Sequence, residues 1–169
     1  MILQIVKYPD PILSRPGEPV TEFNDEVRKL AADMFETTYA SQGIGLAAPQ
    51  VGVSKRLTTI DLSMGKDPEQ KLVLINPEII SSEGKLYEEE GCLSFPDIRE
   101  KVVRAAKVRI RAQDEYGKWF EMEGEELLSR CFQHEIDHLD GILFLSRMSG
   151  LKRSLNLRKI RKLQAEGEW

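Results

Sequence analysis

Long apolar runs, histidine and cysteine are all scarce in this chain of 169 residues. No stretch approaches the roughly 20 consecutive apolar residues of a transmembrane helix, so the sequence predicts that the chain does not span a membrane. The first residues contain no basic segment followed by a long apolar stretch and a small-residue cleavage site, which predicts that no secretory signal is present. Both absences favour a cytoplasmic protein.

The cysteine count excludes a disulfide-rich scaffold. There are two cysteines, Cys92 and Cys131, and in a reducing compartment each is expected to be a buried small side chain or a free thiol. The 41% hydrophobic and 31% charged residues are ordinary for a globular protein. A domain of this length buries roughly 70% of its unfolded surface, so we expect one core without covalent staples.

Charge is distributed unevenly along the chain. The net charge of −4 disfavours DNA binding by the domain as a whole. Between residues 150 and 163 there are six basic and no acidic residues, which leaves the rest of the chain at −10. The last segment is therefore electrostatically distinct, and its composition predicts a basic C-terminal helix.

Hydrophobic periodicity predicts an α+β fold. Apolar residues at helical spacing follow Asn24, a suitable N-cap, and predict a first helix that ends before Gly43. A second long helix is predicted from about residue 125 to residue 139. Strand-like runs and an alternating hairpin pattern lie at residues 56–62, 71–75 and 101–122. We therefore expect antiparallel β-sheets around a central helix, with a C-terminal helix.

Both histidines of the chain lie in one segment, His134-Glu-Ile-Asp-His138, inside the second predicted helix. A spacing of four residues places both imidazoles on one helix face, where a single metal ion can bind a nitrogen from each. An isolated pair of this kind is usually a surface pair. Glu135 changes that interpretation, because a carboxylate beside a ligand can accept a proton from an attacking water. The segment predicts the metal site of a hydrolase.

The third ligand has to come from elsewhere, since a catalytic metal needs three protein ligands and an open position. No histidine follows His138, and by residue type Cys92 and Cys131 are equally available. Ligands at 131, 134 and 138 would span about 10 Å of one helix, too far to converge readily on one ion. Geometry thus favours Cys92, and Cys131 is better interpreted as a wall of the pocket.

Two other functions are compatible with the histidine segment. A different metal-dependent peptidase or amidohydrolase would use the same helix, although the downstream ligand of such zinc proteases is missing. A binding module with a structural metal would need a fourth protein ligand, and the sequence offers no convincing one.

Three segments resemble the signature motifs of peptide deformylases, in the order and at the spacings of that family: Gly43-Ile-Gly-Leu-Ala-Ala-Pro-Gln50, Glu90-Gly-Cys-Leu-Ser94 and Gln133-His-Glu-Ile-Asp-His138. The similarity extends over the intervening chain, and the length and basic C-terminal helix resemble the compact bacterial subtype. The resemblance implies a metal-dependent hydrolase that removes the N-formyl group from the N-terminal methionine of newly synthesised proteins and releases formate.

The resemblance also implies the metal site. Cys92, His134 and His138 would bind one divalent ion, which is iron(II) in the native enzymes of the family. A thiolate with two imidazoles also suits zinc, nickel or cobalt, so the ligand types alone leave the metal open.

The catalytic roles implied by the resemblance fall on three residues. Glu135 is the general acid/base. Gln50 and the backbone N–H of Leu93 donate hydrogen bonds to the formyl oxygen, which suits a neutral donor facing a developing oxyanion.

The substrate site implied by the resemblance begins with Gly43, Ile44 and Gly45, beside which a peptide adds as an extra strand. Main-chain pairing tolerates many sequences, as an enzyme for many nascent chains requires. Gly91 would likewise permit close backbone approach.

A methionine-sized pocket is expected beside these strands. Its predicted walls are Ile44, Leu127, Cys131 and the stem of Arg99, with Glu90 as the ion-pair partner of Arg99. Arg130 is a departure, because the family often has an apolar residue there.

The implied partners are formyl-methionyl nascent polypeptides and the ribosome. A similar C-terminal helix in compact bacterial deformylases docks on the ribosome, and basic residues bind RNA phosphate in a salt-sensitive way. The alternative is a solvated helix packed on the domain. We expect residues 1–149 to form the catalytic metallohydrolase domain and residues 150–169 a basic helix within the same single domain.

Overall fold

Three α-helices and seven β-strands organise the chain, and the computed structural model describes all residues from 1 to 169. The helices are α1 (Asp25–Ala40), α2 (Glu126–Leu139) and α3 (Gly150–Ala165). The strands are β1 (Gly45–Ala47), β2 (Leu57–Ile60), β3 (Leu72–Glu83), β4 (Leu86–Cys92), β5 (Phe95–Arg104), β6 (Lys107–Gln113) and β7 (Trp119–Glu125).

The strands form two antiparallel sheets. A five-stranded sheet has the order β1-β2-β3-β6-β7, and β4 pairs with β5 in a separate two-stranded sheet. Helix α2 packs on strands of the large sheet and also contacts β5. The predicted α+β class, with antiparallel sheets around a central helix and a C-terminal helix, is confirmed.

Helix α1 begins as its sequence predicts. The side chain of Asn24 accepts a hydrogen bond from the backbone N–H of Val27, and Asp25 and Glu26 occupy the positive first turn. The helix buries one face, which includes Met34, against the core. It ends at Ala40, so the chain can turn and enter β1 along the edge of the large sheet.

Helix α2 places its apolar side chains in the core and its histidines at the edge of that core. Phe132 and Ile136 are buried with Leu74 and Ile110 of the large sheet. Burying such side chains contributes roughly 1.5–3 kcal/mol each, which fixes the helix against the sheet. The rigid helix therefore sets the positions of the polar side chains on its other faces.

The predicted hairpin over residues 101–122 is only partly correct. Strands β6 and β7 form it, with Ile110 opposite Met122. Residues 101–104 instead end β5, which pairs with β4 in a hairpin that periodicity did not reveal. The first residues of the chain form no regular strand and are held at Val6, whose N–H donates to the carbonyl of Gln50.

Helix α3 is attached to the domain by side chains along its length, among them Lys152 and Asn156, and by the residues that follow it. Ile160 is buried in a cluster with Phe95 and Phe144. The indole N–H of Trp169 donates to the carbonyl of Tyr8, and its ring meets Phe95 edge-on at 6.3 Å between centroids. None of the helices is both long and apolar enough for a bilayer crossing.

Candidate metal centre

Three potential metal ligands converge where the end of β4 meets α2. The Sγ of Cys92 and the ring nitrogens of His134 and His138 provide ligand atoms within 4.8 Å of one another. Within this group, Cys92 Sγ lies 3.3 Å from His138 Nε2. The structure thus brings together the three residues that were predicted as ligands, and Cys131 is not part of the group.

Their separation fits one small ion. Bonds of about 2.3 Å to a thiolate and about 2.0–2.1 Å to an imidazole place two tetrahedral ligands roughly 3.5 Å apart. The observed Cys92–His138 distance of 3.3 Å matches that spacing. The group has three members, the number that leaves one position of a four-coordinate metal open to water or substrate.

Local structure explains the convergence. The two histidines are one helical turn apart on α2, with ring centroids 5.0 Å apart. Cys92 ends β4 at a register shift, after which Leu93 and Ser94 turn the chain back into β5. That turn directs the thiol toward α2.

A buried carboxylate orients one imidazole. Nδ1 of His134 donates to Oε1 of Glu90 over 2.9 Å, which leaves Nε2 for a metal. Burial alone would raise the pKa of Glu90, but hydrogen bonds from His134 and Arg104 outweigh it and lower the value to about 2. Glu90 is therefore charged, and it would strengthen His134 as a ligand to a metal bound at this site.

The two histidines differ in their proton affinities. Burial lowers the pKa of His138 well below its ordinary value, so its ring is neutral, as a ligand must be. Burial also acts on His134, but hydrogen bonds with Cys92 and Glu90 outweigh it and raise its pKa to about 10. A metal ion that binds among these side chains therefore displaces a proton.

The predicted ion pair between Glu90 and Arg99 is wrong. Side chains alternate along β4, so Glu89 and Glu90 face opposite sides of the hairpin. The exposed Glu89 accepts from Arg99 Nε at 2.7 Å. Glu90 turns inward and accepts two hydrogen bonds from Arg104. Arg99 still lines the cavity described below, as expected of its stem.

Glu135 is buried beside the ligands and is 4% exposed. Its Oε1 has no hydrogen-bond partner, and burial raises its pKa to about 7. A carboxyl group in this state can gain or lose a proton near neutral pH. Space for it depends on Gly45, where an added Cβ would lie 2.5 Å from Glu135 Oε2.

Gln50 is held with its amide nitrogen toward Cys92. Its Oε1 accepts from the N–H of Ala47 at 3.0 Å. Its Nε2 donates to Ser94 Oγ at 3.1 Å and lies 3.6 Å from Cys92 Sγ. These contacts fix the orientation of the amide, so a donor is available next to the candidate ligands. Leu93, the second predicted donor, lies in the adjoining turn.

One cavity of about 770 Å³ joins these elements. The predicted substrate residues all line it, together with Glu135, Gln50, Leu93, Cys92 and His134: Gly43, Ile44, Gly45, Glu90, Gly91, Arg99, Leu127 and Cys131. His138 lies beneath it and is 1% exposed. Burial raises the pKa of the Cys131 thiol, so that side chain is a neutral wall.

Arg130 also lines the cavity, at the position where the sequence departs from an apolar pattern. Its guanidinium donates to the carbonyl of Glu89, and its Nε lies 3.7 Å from Glu90 Oε2. The side chain is therefore bound to β4 and forms part of the rim.

Three charged residues near the site were missed in the sequence. Arg104, Asp137 and Arg147 form buried or half-buried ion pairs behind His134. Arg104 could have been recognised from the sequence, because its side chain lies on the same face of β5 as those of the buried Ile98 and Val102. A charged residue on the buried face of a strand predicts a buried partner.

Comparisons with known proteins agree on one family. A family model described as Polypeptide deformylase matches residues 2–154. The peptide deformylase of Acidobacterium capsulatum is 70% identical over 169 residues, which are 100% of this chain and 99% of that protein. The crystal structure of a peptide deformylase from Legionella pneumophila has a TM-score of 0.90 at 47% identity and covers 98% of each chain. That of the Thermus thermophilus enzyme has a TM-score of 0.90 at 40% identity, covering 99% of this chain and 98% of its own.

Proposed function

Since the chain belongs to the polypeptide deformylase family, it is an enzyme that removes the N-formyl group from newly synthesised proteins, and we propose that it uses Cys92, His134 and His138 as metal ligands. The observation that carries the proposal is the convergence of their ligand atoms within 4.8 Å beside the cavity. Membership of this family therefore replaces the two alternatives that the histidine segment allowed, a different metal-dependent peptidase or amidohydrolase and a binding module with a structural metal.

Cys92, His134 and His138 would hold a divalent metal, which would supply a Lewis acid for activating water and polarising the formyl carbonyl. Glu135 takes the proton from the attacking water and delivers it to the departing amine, for which its raised pKa of about 7 is suited. Gln50 Nε2 and the N–H of Leu93 donate to the oxygen on which negative charge develops.

Gly43, Ile44 and Gly45 pair with the peptide backbone at the open edge of β1, and Gly91 of β4 faces them across the cavity. The peptide runs between these two strands as an added strand. The methionine side chain is surrounded by Ile44, Leu127, Cys131 and the stem of Arg99. Glu90 contributes through its hydrogen bond with His134. Support comes from their shared position around one cavity.

The family is metal-dependent, and iron(II) is the metal we propose for the native enzyme. The thiolate and two imidazoles also bind zinc, nickel or cobalt. Anaerobic purification followed by metal analysis tests this, with formate release measured after each metal is restored. Retention of activity with zinc alone and loss with iron would contradict the assignment.

The ligand set is tested by paired cysteine substitutions. Cys92→Ser removes a soft ligand and should lower metal affinity by at least about tenfold, while Cys131→Ser should leave it nearly unchanged. Formate release from a formyl-methionyl peptide, with the acetylated peptide as control, reports activity in both variants. Equal metal loss would mean that the wrong cysteine was chosen.

We also propose that α3 docks on the ribosome and that the enzyme acts in the cytoplasm, where formylated nascent chains are made. Four exposed basic side chains of α3 make neither an ion pair nor a hydrogen bond with the rest of the domain, unlike Lys152 and Lys159: Arg153, Arg158, Arg161 and Lys162. Such charges bind RNA phosphates with a strong salt dependence.

Replacing these four residues by glutamine is a sharper test than deleting residues 150–169, because deletion would also uncover the cluster around Phe95 and Ile160. The quadruple variant should bind ribosomes at least about tenfold more weakly at 0.1 M salt while hydrolysing a small formyl-methionyl peptide normally. Unchanged ribosome affinity would exclude docking through these charges.

A further inference from the structure

A continuous set of ion pairs connects His134 to the segment before α3. We call it the ionic chain, and its members in order are Arg147, Asp137, Arg104, Glu90 and His134. Arg147 donates to both oxygens of Asp137 at 2.9 and 2.8 Å. Arg104 donates to Asp137 at 2.7 Å and to Glu90 at 2.8 and 3.0 Å. The carboxylate of Glu90 then meets His134.

One oxygen atom links the last two steps of the ionic chain. Oε1 of Glu90 accepts from Nη2 of Arg104 at 3.0 Å and from Nδ1 of His134 at 2.9 Å. The position of the Arg104 guanidinium therefore determines where Oε1 lies, and Oε1 determines the orientation of the imidazole. Because Arg104 is only 4% exposed, water cannot easily replace it.

Arg104 donates hydrogen bonds to two carboxylates, those of Asp137 and Glu90. Arg147 affects how the Arg104 donors are distributed between them, because it also donates to Asp137. Asp137 Oδ1 has one hydrogen-bond donor, which is Arg147. Removing that donor would leave Oδ1 short of a partner, and the nearest remaining guanidinium is that of Arg104. A shift of Arg104 toward a two-bond contact with Asp137 would withdraw Nη2 from Glu90.

We propose that Arg147 is a positioning residue for His134, acting through Asp137, Arg104 and Glu90. The inference rests on the proposed ligand set. Arg147 ends the short helix Phe144–Arg147 that leads toward α3, and it touches neither the cavity nor a ligand. With Arg147 in place, two guanidiniums match two carboxylates and Glu90 keeps both bonds from Arg104.

Metal retention tests the proposal without relying on turnover. Protein loaded with cobalt(II) has a thiolate-to-metal absorption band, whose decay in excess EDTA gives the rate of metal loss. Substitutions behind a metal-binding histidine typically cost about 10- to 100-fold in metal affinity. We expect Arg147→Met to lose cobalt about tenfold faster than wild type, with a slower deformylation rate and a nearly unchanged KM.

Arg56→Met is the matched control. Arg56 also anchors the C-terminal end of α2, by donating to the carbonyl of Leu139 and to Asp140 Oδ1, each at 2.9 Å. It has no contact with Glu90. A general loosening of α2 would thus speed cobalt loss from both variants. The ionic chain predicts that only Arg147→Met loses cobalt rapidly. Both variants are measured at the same temperature, below the unfolding transition of either.

Two results would overturn the inference: cobalt loss from Arg147→Met no faster than from wild type, or equally fast loss from Arg56→Met. If Arg147→Met does not fold, Arg147→Lys is measured instead. It keeps the charge but lacks the two-pronged contact, and we expect a rate between wild type and the methionine variant. Failure of the ligand set itself is distinguishable, since Cys92→Ser would then retain cobalt as long as wild type.

Discussion

Two carboxylates that are two residues apart on α2 have opposite surroundings. Asp137 accepts hydrogen bonds from Arg104 and Arg147. Glu135 faces the cavity, has an oxygen without any donor, and has a pKa raised to about 7 by burial. The same helix therefore carries one carboxylate that binds structure together and one that is free to exchange a proton.

The two carboxylates allow one helix to combine stability with acid/base chemistry. A buried charge is tolerated where donors replace its water, whereas a buried carboxyl without donors is costly when it is charged. At Glu135 this cost raises the pKa of the carboxyl group to about 7, which suits a group that accepts and donates protons near neutral pH. Substituting the arginine donors behind α2 should change stability, whereas substituting Glu135 or the residue in front of it should change activity.

The largest effect on stability is expected from Arg104→Met. The substitution leaves Glu90 and Asp137 buried with too few donors, which costs about 3–5 kcal/mol when one partner of a buried pair is removed. Urea unfolding of the metal-loaded protein measures the change. Arg99→Met is the control, since its pair with Glu89 is exposed and contributes less than about 1 kcal/mol. Equal effects from both substitutions would contradict the interpretation.

Glu135→Ala should have the opposite effect, lowering the deformylation rate but not the stability. We expect at least about a 100-fold loss of deformylation rate through the loss of proton transfer, with the metal retained because all three ligands remain. Stability should not fall appreciably, because the side chain that is removed has an unpartnered buried oxygen. Metal analysis, urea unfolding and formate release check the three parts. Full activity with metal bound would refute the role of Glu135.

Gly45→Ala should disturb Glu135 without changing any ligand. The added Cβ would lie 2.5 Å from Oε2, so the carboxylate must move, and a misplacement of about 1 Å can reduce a rate roughly 100-fold. We expect a loss of about tenfold or more in rate, with normal cobalt retention. Gly150→Ala serves as the control, because its Cβ would meet nothing within 4 Å.

The smallest change in stability is expected from substituting Asp61, which resembles Asp137 because its carboxylate accepts hydrogen bonds from several donors. It accepts from Tyr39, from Ser63 and from the N–H of Gly65. Burial alone would raise its pKa, but these hydrogen bonds lower it below the ordinary value of 3.8. A lowered folded pKa gives stability that is present above 3.8 and is lost as pH falls through the folded value.

Asp61→Asn should therefore be less stable than wild type at pH 7, and the difference should shrink below about pH 4. Urea midpoints across this range measure it. A difference that stays constant with pH would mean that the charge of Asp61 does not contribute.

Spacing within one element was enough to predict α2 and the facing histidines, since helical geometry relates residues four apart directly. The hairpin of β4 and β5 was harder to predict. Its acidic run Glu88-Glu89-Glu90 has no alternation of polar and apolar residues, so nothing in the pattern distinguished the inward-facing Glu90 from its neighbours. The ion pair was consequently assigned to Arg99 instead of Arg104, a choice that depends on register between strands.

The wall of the cavity formed by Leu127 has a thermodynamic consequence. Leu127 is 44% exposed, so apolar surface there is in contact with water before a substrate arrives. In the proposed substrate site, a methionine side chain would cover Leu127 and remove apolar surface from water on both partners. Binding of a formyl-methionyl peptide should therefore be accompanied by a negative change in heat capacity, and its enthalpy should become more favourable as the temperature rises.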